Sequence, residues 1–267
     1  MRGFTADWLD LREPADAAAR AESLVAPLYR GRDRAFSIVD LATGTGANLR
    51  WLAPRLQVAQ KWIAIDHDQT LLTALATRET PVGAAVDPLL LDLARDLAAV
   101  PFATAELVTA SALLDLVSGA WLKELADRCA TARADVLFAL TYAGRTEWDP
   151  REAGDDRVRD LLNRHQLRDK GFGPALGPAA AETAASLFRA RGYDVLAATS
   201  DWHLGHDAQS LQRALVSGWL AASIEMAPDE RALLERWADR RCGWIDRGAS
   251  RLVVGHVDFA GRLRAPR

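Results

Sequence analysis

Apolar residues in this chain fall in short runs, each closed by a polar or glycine-bearing turn and most followed by residues at helical spacing. Phe36 to Val39 is the first clear run, and Ala47-Asn-Leu-Arg-Trp-Leu-Ala53 beyond its turn reads as the start of a helix. Lys61 to Asp66 is a second strand, with a helix from about Gln69 to Ala76. Leu89 to Leu91 reads as a third, buried strand and Ala105 to Ala110 as a fourth, with a helix over Trp121 to Ala132. Asp135 to Thr141 is a fifth strand that continues into Tyr142 to Pro150. A helical pattern over Arg157 to His165 precedes a Gly/Pro loop, Lys170 to Pro178. The helix Ala179 to Ala190 ends before Gly192, the residue type that favours a helix C-cap. Tyr193 to Thr199 is strand six, two amphipathic helices span roughly Gln209–Met226 and Asp229–Ile245, and Arg251 to Phe259 alternates as a last strand. Upstream, Trp8 to Tyr29 reads as helical. Strands alternating with helices predict an α/β fold, a Rossmann-like doubly wound, mostly parallel sheet of seven strands with helices on both faces.

The turn after the first strand carries the chemistry. Ser37-Ile-Val-Asp-Leu-Ala-Thr-Gly-Thr-Gly-Ala-Asn48 joins strand, glycine turn and helix N-terminus, which brings backbone N–H groups close to a ligand. The dinucleotide fingerprint Gly-x-Gly-x-x-Gly fails, because its third position counted from Gly44 is Leu49. Asp40 followed by Ala42, Gly44 and Gly46 instead resembles the first motif of the class I S-adenosylmethionine-dependent methyltransferases, Asp/Glu-x-Gly-x-Gly-x-Gly. Ala42 stands for the first glycine, and an ordinary backbone conformation is expected there. Asp66 ends the second strand about twenty residues after Gly46, the separation a strand–helix–strand crossover demands.

This resemblance covers nearly the whole chain and implies S-adenosylmethionine as cofactor. It places Asp66 on the ribose hydroxyls, with His67 beside it; Asp68 either shares that role or caps the following helix. Asp92 and Leu93 match the positions that hold the adenine amino group and ring, and Ala110 and Ser111 the segment flanking the transferable methyl. Thr43 and Asn48 complete the cofactor loop. Arg12 is the candidate for the cofactor's carboxylate, since a guanidinium binds such a group with two parallel hydrogen bonds; Arg20 and Arg50 are rivals.

Composition narrows the partners. A length of 267 residues suits one domain, read as a helical extension (1–30), a cofactor-binding half (31–145) and a substrate-side half with a helical insertion (146–267). A net charge of −3 provides no global basic field to recruit nucleic acid, and the short basic tail Arg262 to Arg267 does not alter that. The Asn/Asp-Pro-Pro-Tyr turn of adenine and glutamine N-methyltransferases is replaced by Thr109-Ala-Ser-Ala-Leu113, and the Pro-Cys of cytosine C5 enzymes is missing. A small-molecule acceptor is therefore favoured over a macromolecule. Two cysteines supply neither a disulfide framework nor a metal set, and Cys129 reads as a core thiol. No metal is expected, His203 and His206 being read as surface residues. The segment from Met1 lacks an apolar signal region, and no apolar run reaches membrane-spanning length, so a cytoplasmic enzyme with no membrane contact is expected.

On the acceptor side, His165-Gln-Leu-Arg-Asp-Lys-Gly-Phe-Gly173 reads either as a pocket wall or as a solvated helix end. His165, with Asp169 to orient it or contact substrate, and Tyr142 are the catalytic candidates, Tyr142 and Asp115 being the weaker choices. A module that binds S-adenosylmethionine without turnover, using its C-terminal helices as an interface, remains the alternative from another class.

Overall fold

The computed structural model describes residues 4–29 and 34–264. Met1 to Gly3 and the last three residues of the basic tail lie outside the described residues. Five parallel strands form the body of the sheet: β1 (Phe36–Leu41), β2 (Gln60–Asp66), β3 (Ala84–Leu90), β4 (Leu107–Ser111) and β5 (Asp135–Asp149). Beyond β5 lie the antiparallel β8 (Arg251–Leu263) and then β6 (Tyr193–Thr199), giving the order β3-β2-β1-β4-β5-β8-β6. An eighth short strand, β7 (Trp202–Leu204), pairs with β8 off this path. The expected seven-stranded sheet is thus present with one addition. Three residues of β7 are too few for alternation to announce a strand.

Burial follows position in the sheet. In β1 and β4 nearly every residue is buried, as expected for strands covered on both faces, whereas β3 is an edge strand with most residues exposed. The expectation that the third strand is short and buried is therefore corrected: it starts at Ala84 and contains Asp87 and Pro88. Proline has no N–H to give a ladder, so an edge tolerates it where a central strand would not.

Helices cover both faces. Helices α5 (Gly119–Ala132) and α7 (Ala180–Arg189) pack through Leu122, Leu125, Cys129, Ala184 and Phe188 on one face. Helices α2 (Ala26–Tyr29), α3 (Ala47–Leu52) and α4 (Gln69–Thr77) pack through Leu28, Leu52, Leu72 and Leu75 on the other. A further core joins α6 (Asp155–Gln166), α8 (Gln209–Met226) and α9 (Arg231–Asp246) to the far ends of β5 and β8 through Leu161, Trp219, Trp237 and Trp148. Within it Arg241, wholly buried, pairs with Asp155, whose Oδ1 also accepts from Trp237 Nε1 at 2.8 Å. No helix among the described residues is long and apolar enough to cross a membrane.

Strand β5 bends where it passes from the sheet to this outer core. Its pairing with β8 shifts register between Phe138 and Thr141 and again between Tyr142 and Thr146, with Leu140 at φ +54° and Gly144 at φ +76°. Asp258, in the buried middle of β8, accepts the N–H of Leu140 at 2.7 Å through one oxygen and that of Ala21 at 3.0 Å through the other. The bulge is thereby tied to the chain that leaves helix α1 (Ala6–Ala19).

Candidate functional site

The carboxyl ends of β1 to β4 meet where the strand order reverses between β1 and β4, the crevice in which open α/β sheets bind ligands. A cavity of about 370 Å³ opens there. Its floor is the turn after β1. Asp40, fully buried below the turn, accepts from Thr43 Oγ1 and from Asn48 Nδ2, both at 2.6 Å. Burial pushes its carboxyl up to about 6 despite those two donors. Asn48 extends the network by donating to Thr109 Oγ1 at 3.2 Å and accepting from Arg20 Nη1 at 2.8 Å. Asp40 therefore shapes the loop from beneath and does not line the cavity; Thr43 and Asn48 do.

Three residues of this turn have left-handed backbone: Ala42 at φ +51°, Gly44 at +58° and Gly46 at +85°. The expectation of an ordinary conformation at Ala42 is corrected, since a residue with a Cβ is strained there. At Gly46, a Cβ would meet Leu75 Cδ1 at 2.3 Å, so this glycine lets α3 pack on α4 and lies behind the cavity wall. Gly44 faces the cavity, covered by Leu9 of α1, whose Cδ1 a Cβ would meet at 2.9 Å.

Asp66 stands at the end of β2 with 4% exposure. Its Oδ2 accepts from Gly44 N at 2.8 Å and its Oδ1 from Asp68 N at 3.0 Å, with the exposed His67 ring 3.3 Å away. Each oxygen keeps a lone pair for a hydroxyl donor, and the two backbone bonds fix its orientation. Asp68 caps α4 by accepting from Thr70 N at 2.7 Å, which holds its carboxyl below the usual range, and it lines the cavity as well. After β3, Leu91, Asp92 and Leu93 form an adjoining wall; the Leu93 carbonyl accepts from Trp121 Nε1 at 2.7 Å. Ser111 at the end of β4 lines the cavity, while Ala110 is buried within the strand behind it.

Helix α1 roofs the cavity with Leu9, Arg12 and Asp16. Arg12 makes a two-point pair with Asp16, Nε to Oδ2 at 2.9 Å and Nη2 to Oδ1 at 3.1 Å, and lies over the Trp202 ring. Arg12, the candidate for the cofactor's carboxylate, thus lines the cavity with its fork engaged by Asp16. Arg50 is occupied too, by Glu13 and the Thr45 carbonyl. Arg20 differs: it is buried, yet among the described residues its Nε and Nη2 have no hydrogen-bond partner, and Asp258 stands 3.7 Å from Nε. It lines a second cavity of about 230 Å³ that shares Asp16, Ala47, Asn48 and Ser111 with the first.

The acceptor-side candidates are not brought together in the cavity. Tyr142 is buried, donates its hydroxyl to Asn163 Oδ1 at 2.8 Å, and burial raises its phenol. Asp169 Oδ1 accepts from the N–H groups of Gly171 (2.7 Å) and Gly173 (3.0 Å) and so holds its own loop. His165, in the last turn of α6, has Nε2 3.4 Å from Glu225 and Nδ1 3.3 Å from Lys170 Nζ. None of these three side chains lines the cavity, each being engaged by the partner just named. From the same loop, Lys170 and Phe172 do line it. Asp115, buried with its carboxyl raised to about 6 by desolvation, is reached by Tyr142 N at 3.5 Å.

No family model matches this sequence, and no curated protein matches it in sequence. Solved structures do match in fold. A cyclopropane-fatty-acyl-phospholipid synthase-like protein from Lactobacillus casei is similar at a TM-score of 0.53 and 13% identity, over 97% of this chain and 93% of that one. A cyclopropane synthase from Mycobacterium tuberculosis is similar at 0.50 and 12% identity, over 97% and 94%. The chain shares with these structures a Rossmann-like fold, a mostly parallel sheet flanked by helices.

Proposed function

We propose that this protein binds S-adenosylmethionine in the main cavity and transfers its methyl group to a small-molecule acceptor in the cytoplasm. The observation that carries the reading is the carboxylate of Asp66, oriented by two backbone N–H groups at the end of β2 with lone pairs left for a ribose diol. The rest of the wall fits the same cofactor. Asp92 and Leu93 offer one polar and one apolar contact for adenine, and Arg20, in the adjoining second cavity with Nε and Nη2 unbonded among the described residues, suits the carboxylate of the methionyl end. Both cysteines are free, which accords with a reducing compartment.

When bound, the cofactor supplies a methyl group on a positively charged sulfonium, ready for in-line displacement. The chain's own task is to orient and to exclude water. Leu9 and Phe4 close the roof, Leu113 and Leu116 make an apolar wall beside Ser111, and the Asp40–Asn48–Arg20 network keeps the glycine turn rigid. Calorimetry with S-adenosylhomocysteine tests binding, and mass spectrometry of a labelled-methyl metabolite screen tests transfer. Failure to bind rejects the reading. Binding without transfer to any metabolite would favour the non-catalytic alternative.

A further inference from the structure

Among the described residues, three cationic side chains line the main cavity: Arg12, Arg95 and Lys170. Arg12 is neutralised by Asp16, and Arg95 is a largely exposed side chain beside Asp92. Lys170 has no carboxylate within ion-pair distance among the described residues. Its Nζ meets His165 Nδ1 at 3.3 Å. An ammonium only donates, so Nδ1 is the acceptor and the imidazole proton sits on Nε2, 3.4 Å from Glu225 Oε2. Burial and the lysine charge hold His165 below its ordinary value, in keeping with a neutral ring. Glu225 in turn pairs with Arg168 at 2.6 Å, so its charge is already matched. Lys170, linked through His165 to Glu225, thus reaches the cavity wall with no ion-pair partner among the described residues, although the buried Asp115 feels its charge.

The loop that carries Lys170 is held in place by the two N–H bonds to Asp169 and by Phe172 packed edge-on against Trp121, with ring centroids 5.3 Å apart. The lining of the cavity that Lys170 enters also includes the apolar Phe172, Leu113 and Leu116. One charge beside an apolar surface matches a monoanion. A phosphate group would call for an arginine fork or several converging donors, which this end of the cavity does not offer.

We propose that Lys170, positioned by His165 and Glu225, reads the acceptor's charge, and that the acceptor is a small molecule with an apolar body and a carboxylate. This rests on the methyl-transfer reading for the word acceptor, and the test separates the two. Hexanoate, benzoate and phenylacetate, each beside its amide, are titrated by calorimetry into the full-length protein, with and without saturating S-adenosylhomocysteine. Wild type should prefer at least one carboxylate over its amide by tenfold or more. Lys170→Met, which keeps the aliphatic stem, should reduce that preference below twofold, and Lys170→Arg should retain part of it. Affinity for S-adenosylhomocysteine should stay within twofold in both variants. Equal binding of every carboxylate and its amide, absence of binding by all of them, or an undiminished preference in Lys170→Met overturns the proposal. A loss in Lys170→Met of S-adenosylhomocysteine affinity but not of 5′-methylthioadenosine affinity also overturns it, because the lysine would then serve the cofactor's carboxylate. Failure of wild type to bind S-adenosylhomocysteine rejects the preceding reading alone, since the ligand-free titrations still decide the role of Lys170.

Discussion

The backbone N–H of Gly44 and the carboxylate of Asp66, 22 positions apart in the chain, are joined by a 2.8 Å hydrogen bond that ties the turn after β1 to the end of β2. The bond aims the carboxylate and steadies the turn at once. Asp66→Ala should therefore weaken S-adenosylhomocysteine binding by about 2–4 kcal/mol, through lost ribose contacts and a loosened loop. Calorimetry reads the affinity directly, and a wild-type value in a folded mutant would remove Asp66 from the site.

Arg20 should distinguish ligands by their carboxylate. Arg20→Met should lower S-adenosylhomocysteine affinity by about tenfold or more, as a charge-assisted pair is lost. Affinity for 5′-methylthioadenosine, which lacks the amino-acid end, should change far less. Equal losses for the two ligands would assign Arg20 a purely structural part, through Asn48 and Asp258.

Ala42 holds a left-handed conformation that glycine adopts without strain. Ala42→Gly should stabilise the fold by up to about 1 kcal/mol, and Ala42→Val should destabilise it by about 2 kcal/mol. Urea denaturation decides, and a valine variant as stable as wild type would contradict the backbone geometry.

His256 is buried against Trp202 with Nδ1 3.0 Å from the Val254 carbonyl, and desolvation brings its value down to about 3. A depressed histidine means that the unfolded chain binds the proton more readily, so the stability contributed by the neutral ring is lost as pH falls below about 6.5. Asp40 and Asp115, both raised to about 6, act with the opposite sign between about pH 4 and 6. The histidine's share is thus read from a difference: His256→Phe should lose about 2–3 kcal/mol less than wild type between about pH 6.5 and 4.5. Parallel pH profiles for the two proteins would show that His256 does not titrate this way.

Much of the architecture was legible because the parallel strands are apolar runs closed by diagnostic turns. Asp66 ends β2, and Gln209 to Met226 form α8, where the pattern places them. The third strand was harder to read, since Asp87-Pro88 interrupts its apolar pattern and only an edge position accommodates that pair. Backbone conformation at Ala42 leaves no trace in residue type. Arg12 and Asp16 are one helical turn apart and satisfy each other, a pairing that spacing can suggest, whereas the surroundings of Arg20, Asn48 at 2.8 Å and Asp258 at 3.7 Å, are long-range and invisible to it. His165, Asp169 and Tyr142 have the right chemistry in the right segment, yet each is bonded to a neighbour that spacing cannot reveal.

Strands β5 and β8 thread all three apolar clusters. Val136, Leu137 and Leu140 of β5 fall one in each, as do Phe259, Ala260 and Val254 of β8. No cluster can lose its packing without pulling on a strand that holds up the other two. The helical outer layer and the ligand-binding edge should accordingly melt in a single calorimetric transition, with its van't Hoff and calorimetric enthalpies equal.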